Sequence, residues 1–325
     1  MSNLEKEPPE LLSEVPFEVG SAVEILEPRD VPLGGPRAMG VRRTLPQRKR
    51  SLIGAWCFVD HYGPDAVGRS GGMVVPPHPH TGLQTVSWLF AGEIEHRDSV
   101  GSHTVVRPGQ LNLMTAGNGI AHSELSTPDT RVLHGAQLWI ALPDSHRFIE
   151  PFFQHYIPTQ ARHGGATFRV FIGSLLDQTS TATVFTDLVG AQIDIPAGTT
   201  LVLPVDPRFE HGVLVDAGEL LLEGEHVRVS HLGYVEEGRT TLELTAGASD
   251  ARVLLIGGVP LGESIVMWWN FIGRSHEEIV RFRWEWQTDV VGGKSDTGPF
   301  GRVEGYDGEP LPAPELPNVR LRPRG

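Results

Sequence analysis

The stretch that decides the reading runs from His78 to Glu124. It opens His78-Pro79-His80-Thr81-Gly82 and closes Gly117-Asn118-Gly119-Ile120-Ala121-His122-Ser123-Glu124. Between and just beyond these ends lie short β-branched and aromatic runs: Leu83 to Phe90, Ile94 to Arg97, His103 to Val106, Leu111 to Met114, Ser123 to Leu125 and Gly135 to Leu142. Turns at Ala91-Gly92-Glu93, Val100-Gly101 and Arg107-Pro108-Gly109-Gln110 separate them. Short strands at close spacing, without helices between them, predict an antiparallel barrel or sandwich. In extended chain, residues two apart point to one side, so His78 with His80, and His122 with Glu124, each form a pincer. If both pincers face the inside of one barrel, they converge.

Composition narrows what such a site serves. The 325 residues are 39% hydrophobic and 21% charged, which suits a globular protein of one large or two ordinary domains. No apolar run is long enough to cross a bilayer, and the acidic start from Ser2 to Val15 lacks the basic-then-apolar order of a leader, so a cytoplasmic protein is expected. The formal net charge of −13 argues against direct contact with nucleic acid or anionic lipid while leaving a protein partner open. Arg42-Arg43 and Arg48-Lys49-Arg50 are read as a solvated loop. The single cysteine, Cys57, sits in the apolar run Ala55 to Val59, which predicts a core thiol and excludes both an intrachain disulfide and thiolate metal binding.

The second half is strand-rich again from Phe168 onward. Ala91-Gly92-Glu93 recurs as Ala217-Gly218-Glu219 and Thr115-Ala116-Gly117 as Thr245-Ala246-Gly247, in the same order, which suggests duplication. Beyond the second copy there is no counterpart of His122 and Glu124, and His211 stands alone, so metal is expected in the first half only. Ser275-His276-Glu277-Glu278 reads as a capping box opening one amphipathic helix through Ile279, Phe282 and Trp286, whose aromatic stripe is read as core packing. The expected fold is all-β, two tandem jelly-roll-like barrels with a short C-terminal helix and extended terminal arms. Its divisions are a flexible arm at 1–18, a metal-binding barrel at 19–145, a connection at 146–167, a barrel without metal plus helix at 168–290, and a Pro-rich arm at 291–325.

Three imidazoles and one carboxylate suit a divalent first-row ion and leave two octahedral positions open, whereas zinc could close the same four groups into a structural tetrahedral site. Ligand identity alone does not choose between them. An open site of this kind takes an anionic bidentate substrate or O₂, and Glu124 is the best candidate for a general base. Trp88, Phe90 and Trp139 are read as barrel-core residues ahead of pocket lining.

Pro77-His78-Pro79-His80-Thr81-Gly82, Pro108-Gly109-Gln110, Met114 to Glu124 and His134-Gly135-Ala136-Gln137-Leu138-Trp139-Ile140 together resemble the pirin family, a branch of the cupin superfamily. The resemblance implies a bicupin with one divalent metal, most readily Fe(II), held by His78, His80, His122 and Glu124. Bacterial pirins are associated with quercetin 2,3-dioxygenase activity, so the implied partners are O₂ and a small aromatic or enediol-like substrate. Animal members are associated with iron-dependent transcriptional coregulation, so the alternative is a redox-sensitive protein-binding regulator without significant catalysis. Gln84 stands where pirins have Glu, removing a carboxylate expected near the metal. Thr81, Asn112, Leu113 and Asn118 stand where familiar members have Arg, Gln, Trp and Arg.

Overall fold

The computed structural model describes residues 22–33, 39–295 and 298–325. The arm expected at 1–18 lies outside them. Two sheets build the first barrel. The larger runs, in spatial order, Phe152–Tyr156, Leu111–Thr115, Leu83–Ala91, Val132–Ala141, Trp56–Ala66, Met39–Leu45 and Arg29–Leu33. The smaller runs Val74–His80, Ile120–Ser126, Ile94–Asp98 and His103–Val106. All these pairings are antiparallel.

The second barrel repeats the plan. Its small sheet runs Thr200–Pro204, Thr241–Ala246, Leu220–Leu222 and Glu225–Val227, facing a large sheet centred on Glu210–Ala217, Ala251–Gly258 and Leu188–Ile195. The short strand Glu24–Leu26 crosses over to pair with Leu232–Val235 of this second sheet. Both barrels are thus all-β, with one α-helix of more than one turn among the described residues, His276–Glu285.

Alternation along the large sheets sends one set of side chains into each barrel and the other set between the barrels. Trp56, Val59, Val86, Trp88 and Leu138 meet Phe171, Ile172, Leu214, Leu254 and Ile256 in one buried cluster. Trp88 stacks on Phe171 at 4.5 Å between centroids, and its indole N–H donates to Gln192 Oε1 at 3.0 Å. Each such side chain contributes about 1.5–3 kcal/mol of apolar burial, so this back-to-back contact joins the barrels firmly.

Two expectations change in three dimensions. Ala91-Gly92-Glu93 and Ala217-Gly218-Glu219 occupy equivalent hairpins, each with its glycine at φ 83°. The other tripeptide match is coincidental: Thr115 ends Leu111–Thr115 in a large sheet, whereas Thr245 lies in Thr241–Ala246 of a small one. Arg43 is also no solvated base. It is buried, donates to both carboxylate oxygens of Asp60 at 2.7 and 2.8 Å, and stacks over Phe58. Cys57 is a buried thiol as expected, and burial pushes its pKa up.

The C-terminal segment folds onto the first barrel. Ser275 caps the helix by accepting from the Glu278 amide at 3.2 Å, and the chain continues as a π-helical turn, Trp286–Val291. Phe282 and Trp286 pack with Phe271, Phe300 and Ala121, so the aromatic stripe is core. Leu311 N–H donates to Pro77 O, tying the Pro-rich tail to the strand that carries His78 and His80. Among the described residues no helix is long and apolar enough to cross a membrane.

Candidate metal centre

The small sheet of the first barrel places its polar residues by pairing. His122 lies opposite His78 on one side and Asp98 on the other, and Glu124 lies opposite His96. The register shifts between His122 and Glu124, where the neighbouring strand carries Pro76-Pro77. Two prolines cannot donate to the ladder, which suits them to a bulge. Turn geometry fixes the approach to His122: Gly117 has φ 51°, and a Cβ there would strike Ile149 O. A Cβ at Gly119 would meet Pro299 O at 2.9 Å. Side chains at both positions are therefore costly.

The ligand-capable nitrogens of His78, His80 and His122 lie within 4.8 Å of one another, and all three residues are fully buried. Glu124 joins an overlapping group with His122 and His96. Hydrogen bonds at the far side of each ring settle which nitrogen faces inward. His78 Nδ1 donates to Pro76 O at 2.9 Å, and His80 Nδ1 donates to Asn270 O at 3.1 Å. His96 Nε2 donates to Asp98 Oδ2 at 3.2 Å, leaving its Nδ1 to accept from His122 Nδ1 at 3.4 Å. With each Nδ1 carrying its proton, all three Nε2 atoms present lone pairs inward.

Among the described residues those lone pairs meet no hydrogen-bond donor. His78 Nε2 is buried without a partner, and His80 Nε2 faces His122 Nε2 at 3.1 Å. Burial pushes the pKa of His78 down to about 3 and holds His80 and His122 well below the usual imidazole range, with neighbouring imidazoles adding to the effect. Three neutral imidazoles aiming lone pairs at one point, with a buried carboxylate alongside, fit a divalent cation. The outward bonds to backbone carbonyls and through His96 to Asp98 orient the rings.

Around this point the barrel interior is polar. Ser87 Oγ lies 3.3 Å from Glu124 Oε1 and 2.9 Å from Gln137 Oε1, so one hydroxyl proton serves two acceptors in turn. Tyr62 Oη, Gln137 Nε2 and Trp139 Nε1 are buried donors without protein partners. Burial, reinforced by Glu124 and Asp60, raises the Tyr62 pKa well above its ordinary value and keeps the phenol protonated. Trp139 stacks on Phe58 at 4.0 Å and meets the His80 ring edge-on at 5.1 Å. It therefore belongs to the core and to the wall of the site at once, whereas Trp88 points away into the inter-barrel contact.

His96 and Asp98 are the residues that sequence reasoning missed. They form a third same-side pair two residues apart, by the spacing that singled out the other two. Gln84 shows the opposite error. It shares a face with Val86 and Trp88, and its amide donates to Thr115 Oγ1 at 2.8 Å and Thr183 O at 3.0 Å. The departure from Glu at this position therefore lies on the inter-barrel side and removes no carboxylate from the histidine cluster. Leu113 likewise packs between the barrels.

Two jelly-roll barrels in tandem, with a histidine cluster on the inner face of one, define a bicupin. A family model described as Pirin matches residues 38–140, and one described as Pirin C-terminal cupin domain matches 190–292. The chain is 45% identical over 291 residues to a Pseudomonas aeruginosa protein named "Putative quercetin 2,3-dioxygenase", covering 89% of each chain. It is 34% identical to a "Pirin-like protein" of Caulobacter vibrioides, over 76% of this chain and 88% of that one. A crystal structure titled quercetin 2,3-dioxygenase from Acinetobacter baumannii superposes with a TM-score of 0.85 at 37% identity, covering 93% of this chain and 97% of that chain. The chain belongs to the pirin family.

Proposed function

We propose that this protein is a metal-dependent dioxygenase that opens a flavonol such as quercetin, or a related oxygen-chelating small molecule, with O₂. His78, His80, His122 and Glu124 would hold the metal, with Fe(II) the proposed ion and other first-row ions able to occupy the same donors. The observation that carries this reading is the convergence of three inward Nε2 lone pairs beside a buried carboxylate. The names of the relatives in Pseudomonas aeruginosa and Acinetobacter baumannii support the substrate class.

When bound, the ion would supply Lewis acidity and a template for both reactants. The chain's own groups do the rest. Tyr62 Oη, Gln137 Nε2 and Trp139 Nε1 are three unmet donors suited to an oxygen-rich planar ligand, which would satisfy them by accepting. Glu124 is the group to take the substrate hydroxyl proton, and Ser87 steadies its carboxylate. The C-terminal cluster of Trp268, Phe271, Phe282 and Trp286, packed against Ala121, limits water entry from that side.

The test is anaerobic loading with Fe(II), addition of quercetin, then admission of oxygen, following flavonol loss together with carbon monoxide release. The expected result is coupled loss and release that disappears in Glu124→Ala. Stoichiometric iron uptake with neither signal would overturn the assignment to flavonol cleavage.

A further inference from the structure

On the inner face of the large sheet of the first barrel, one cross-strand row is polar from end to end. His155, Asn112, Ser87, Gln137, Asp60 and Arg43 stand opposite one another in succession on six adjacent strands. Leu111 and Leu113 pack between the barrels, so Asn112 between them turns inward. Directly opposed side chains on one face lie about 4.5–5.5 Å apart, which makes the row a continuous polar surface. It passes the histidine cluster at its middle, where Ser87 Oγ reaches Glu124.

The ends of the row are satisfied and its centre is not. Arg43 fills both carboxylate oxygens of Asp60. At the other end His155 is exposed, and its Nδ1 donates to Asn112 Oδ1 at 3.0 Å. Gln137 Oε1 lies 2.9 Å from the Ser87 hydroxyl. Each amide thus has its oxygen engaged and its NH₂ group left to donate. Asn112 is 2% exposed and Gln137 fully buried, and among the described residues neither Asn112 Nδ2 nor Gln137 Nε2 has a partner. Buried donors of this kind call for an acceptor brought by a ligand.

We propose that Asn112, its amide set by His155, is a specificity-determining residue that donates to an oxygen on the part of the substrate farther from the metal. This rests on the flavonol reading above. Asn112 lies one strand nearer the exposed His155 than Ser87 does, and two strands from Gln137, about 9–10 Å at the backbone. That separation matches oxygens on different rings of one ligand better than neighbouring oxygens on a single ring. Phe153, on the same face two residues from His155 and stacked with His96 at 4.8 Å, supplies an apolar wall for an aromatic ring beside the Asn112 donor.

The experiment measures dissociation constants under argon for Fe(II)-loaded full-length protein with two flavonols, by quenching of tryptophan fluorescence. One is quercetin; the other is 3-hydroxyflavone, which keeps the chelating hydroxyl–ketone pair and lacks the hydroxyls of the outer rings. The preference of wild type for quercetin should narrow about three- to tenfold in Asn112→Leu, with 3-hydroxyflavone binding unchanged. The variant should melt no lower than wild type, since only the exposed His155 loses a partner. Flavonol binding with an unchanged preference, or with none in wild type, would overturn the inference and leave the proposed reaction standing. Failure of wild type to bind either flavonol would overturn both. Should Asn112→Leu fold poorly, His155→Leu releases the amide from the surface side and should narrow the same preference about threefold, and no change there would overturn the inference.

Discussion

Equivalent strands of the two barrels carry opposite chemistry on their inner faces. In the first, Val74–His80 and Ile120–Ser126 turn His78, His80, His122 and Glu124 inward. In the second, Thr200–Pro204 and Thr241–Ala246 turn in Leu201, Leu203, Leu242 and Leu244, all fully buried, with Leu201 opposite Leu244 and Leu203 opposite Leu242. The frame is the same and its filling is exchanged. The second barrel shows that this architecture closes around aliphatic side chains, so the histidines of the first are not required for closure. They replace apolar packing with lone pairs that need a cation.

The strongest way to break that comparison is to exchange the fillings. Leu244→His buries an imidazole among leucines, losing aliphatic contact and leaving a polar group unmet, and should cost about 4 kcal/mol by denaturant titration. The reverse exchange, His122→Leu, should lower metal affinity by about one to two orders of magnitude in chelator competition. The metal-free variant should melt no lower than metal-free wild type, because the change removes the contact between His80 Nε2 and His122 Nε2. A large loss of apo stability would show that the histidines also support the frame.

Smaller changes sharpen the picture. Gln84→Glu replaces the donor to Thr115 and Thr183 O with an acceptor, and should cost about 1–3 kcal/mol of stability while leaving metal stoichiometry unchanged. Altered stoichiometry would place position 84 back at the metal. His96→Leu frees His122 from its link to Asp98 and should weaken metal binding about tenfold, the size expected for a residue that orients a ligand.

The smallest effect, seen only as the pH is lowered, belongs to His211 of the second barrel. Burial pushes its pKa down to about 4, partly opposed by Asp206. Its unfolded value near 6.5 is higher, so the unfolded chain binds the extra proton first. The contribution of His211 is therefore present above about pH 6.5 and lost as pH falls toward 4. His211→Gln should flatten the stability curve in that window, and an unchanged slope would assign the acid sensitivity to other groups.

Sequence alone determined a good deal here. Period-two spacing depends only on the geometry of an extended chain, so His78 with His80 and His122 with Glu124 could be paired before any fold was known. Glycine and proline marked the turns, and Ser275 marked the start of the helix, because those preferences are local. The tertiary structure decided what depends on register and on which face of a sheet meets which. It brought His96 and Asp98 to His122, turned Gln84 and Trp88 away from the metal centre, and separated a true repeat at Gly92 and Gly218 from a coincidental one at Thr115 and Thr245. It also joined His61 and His134 to Asp216, a residue far along the chain in the other barrel. No periodicity records that meeting, because contact between two sheets is set by how the folded layers stack.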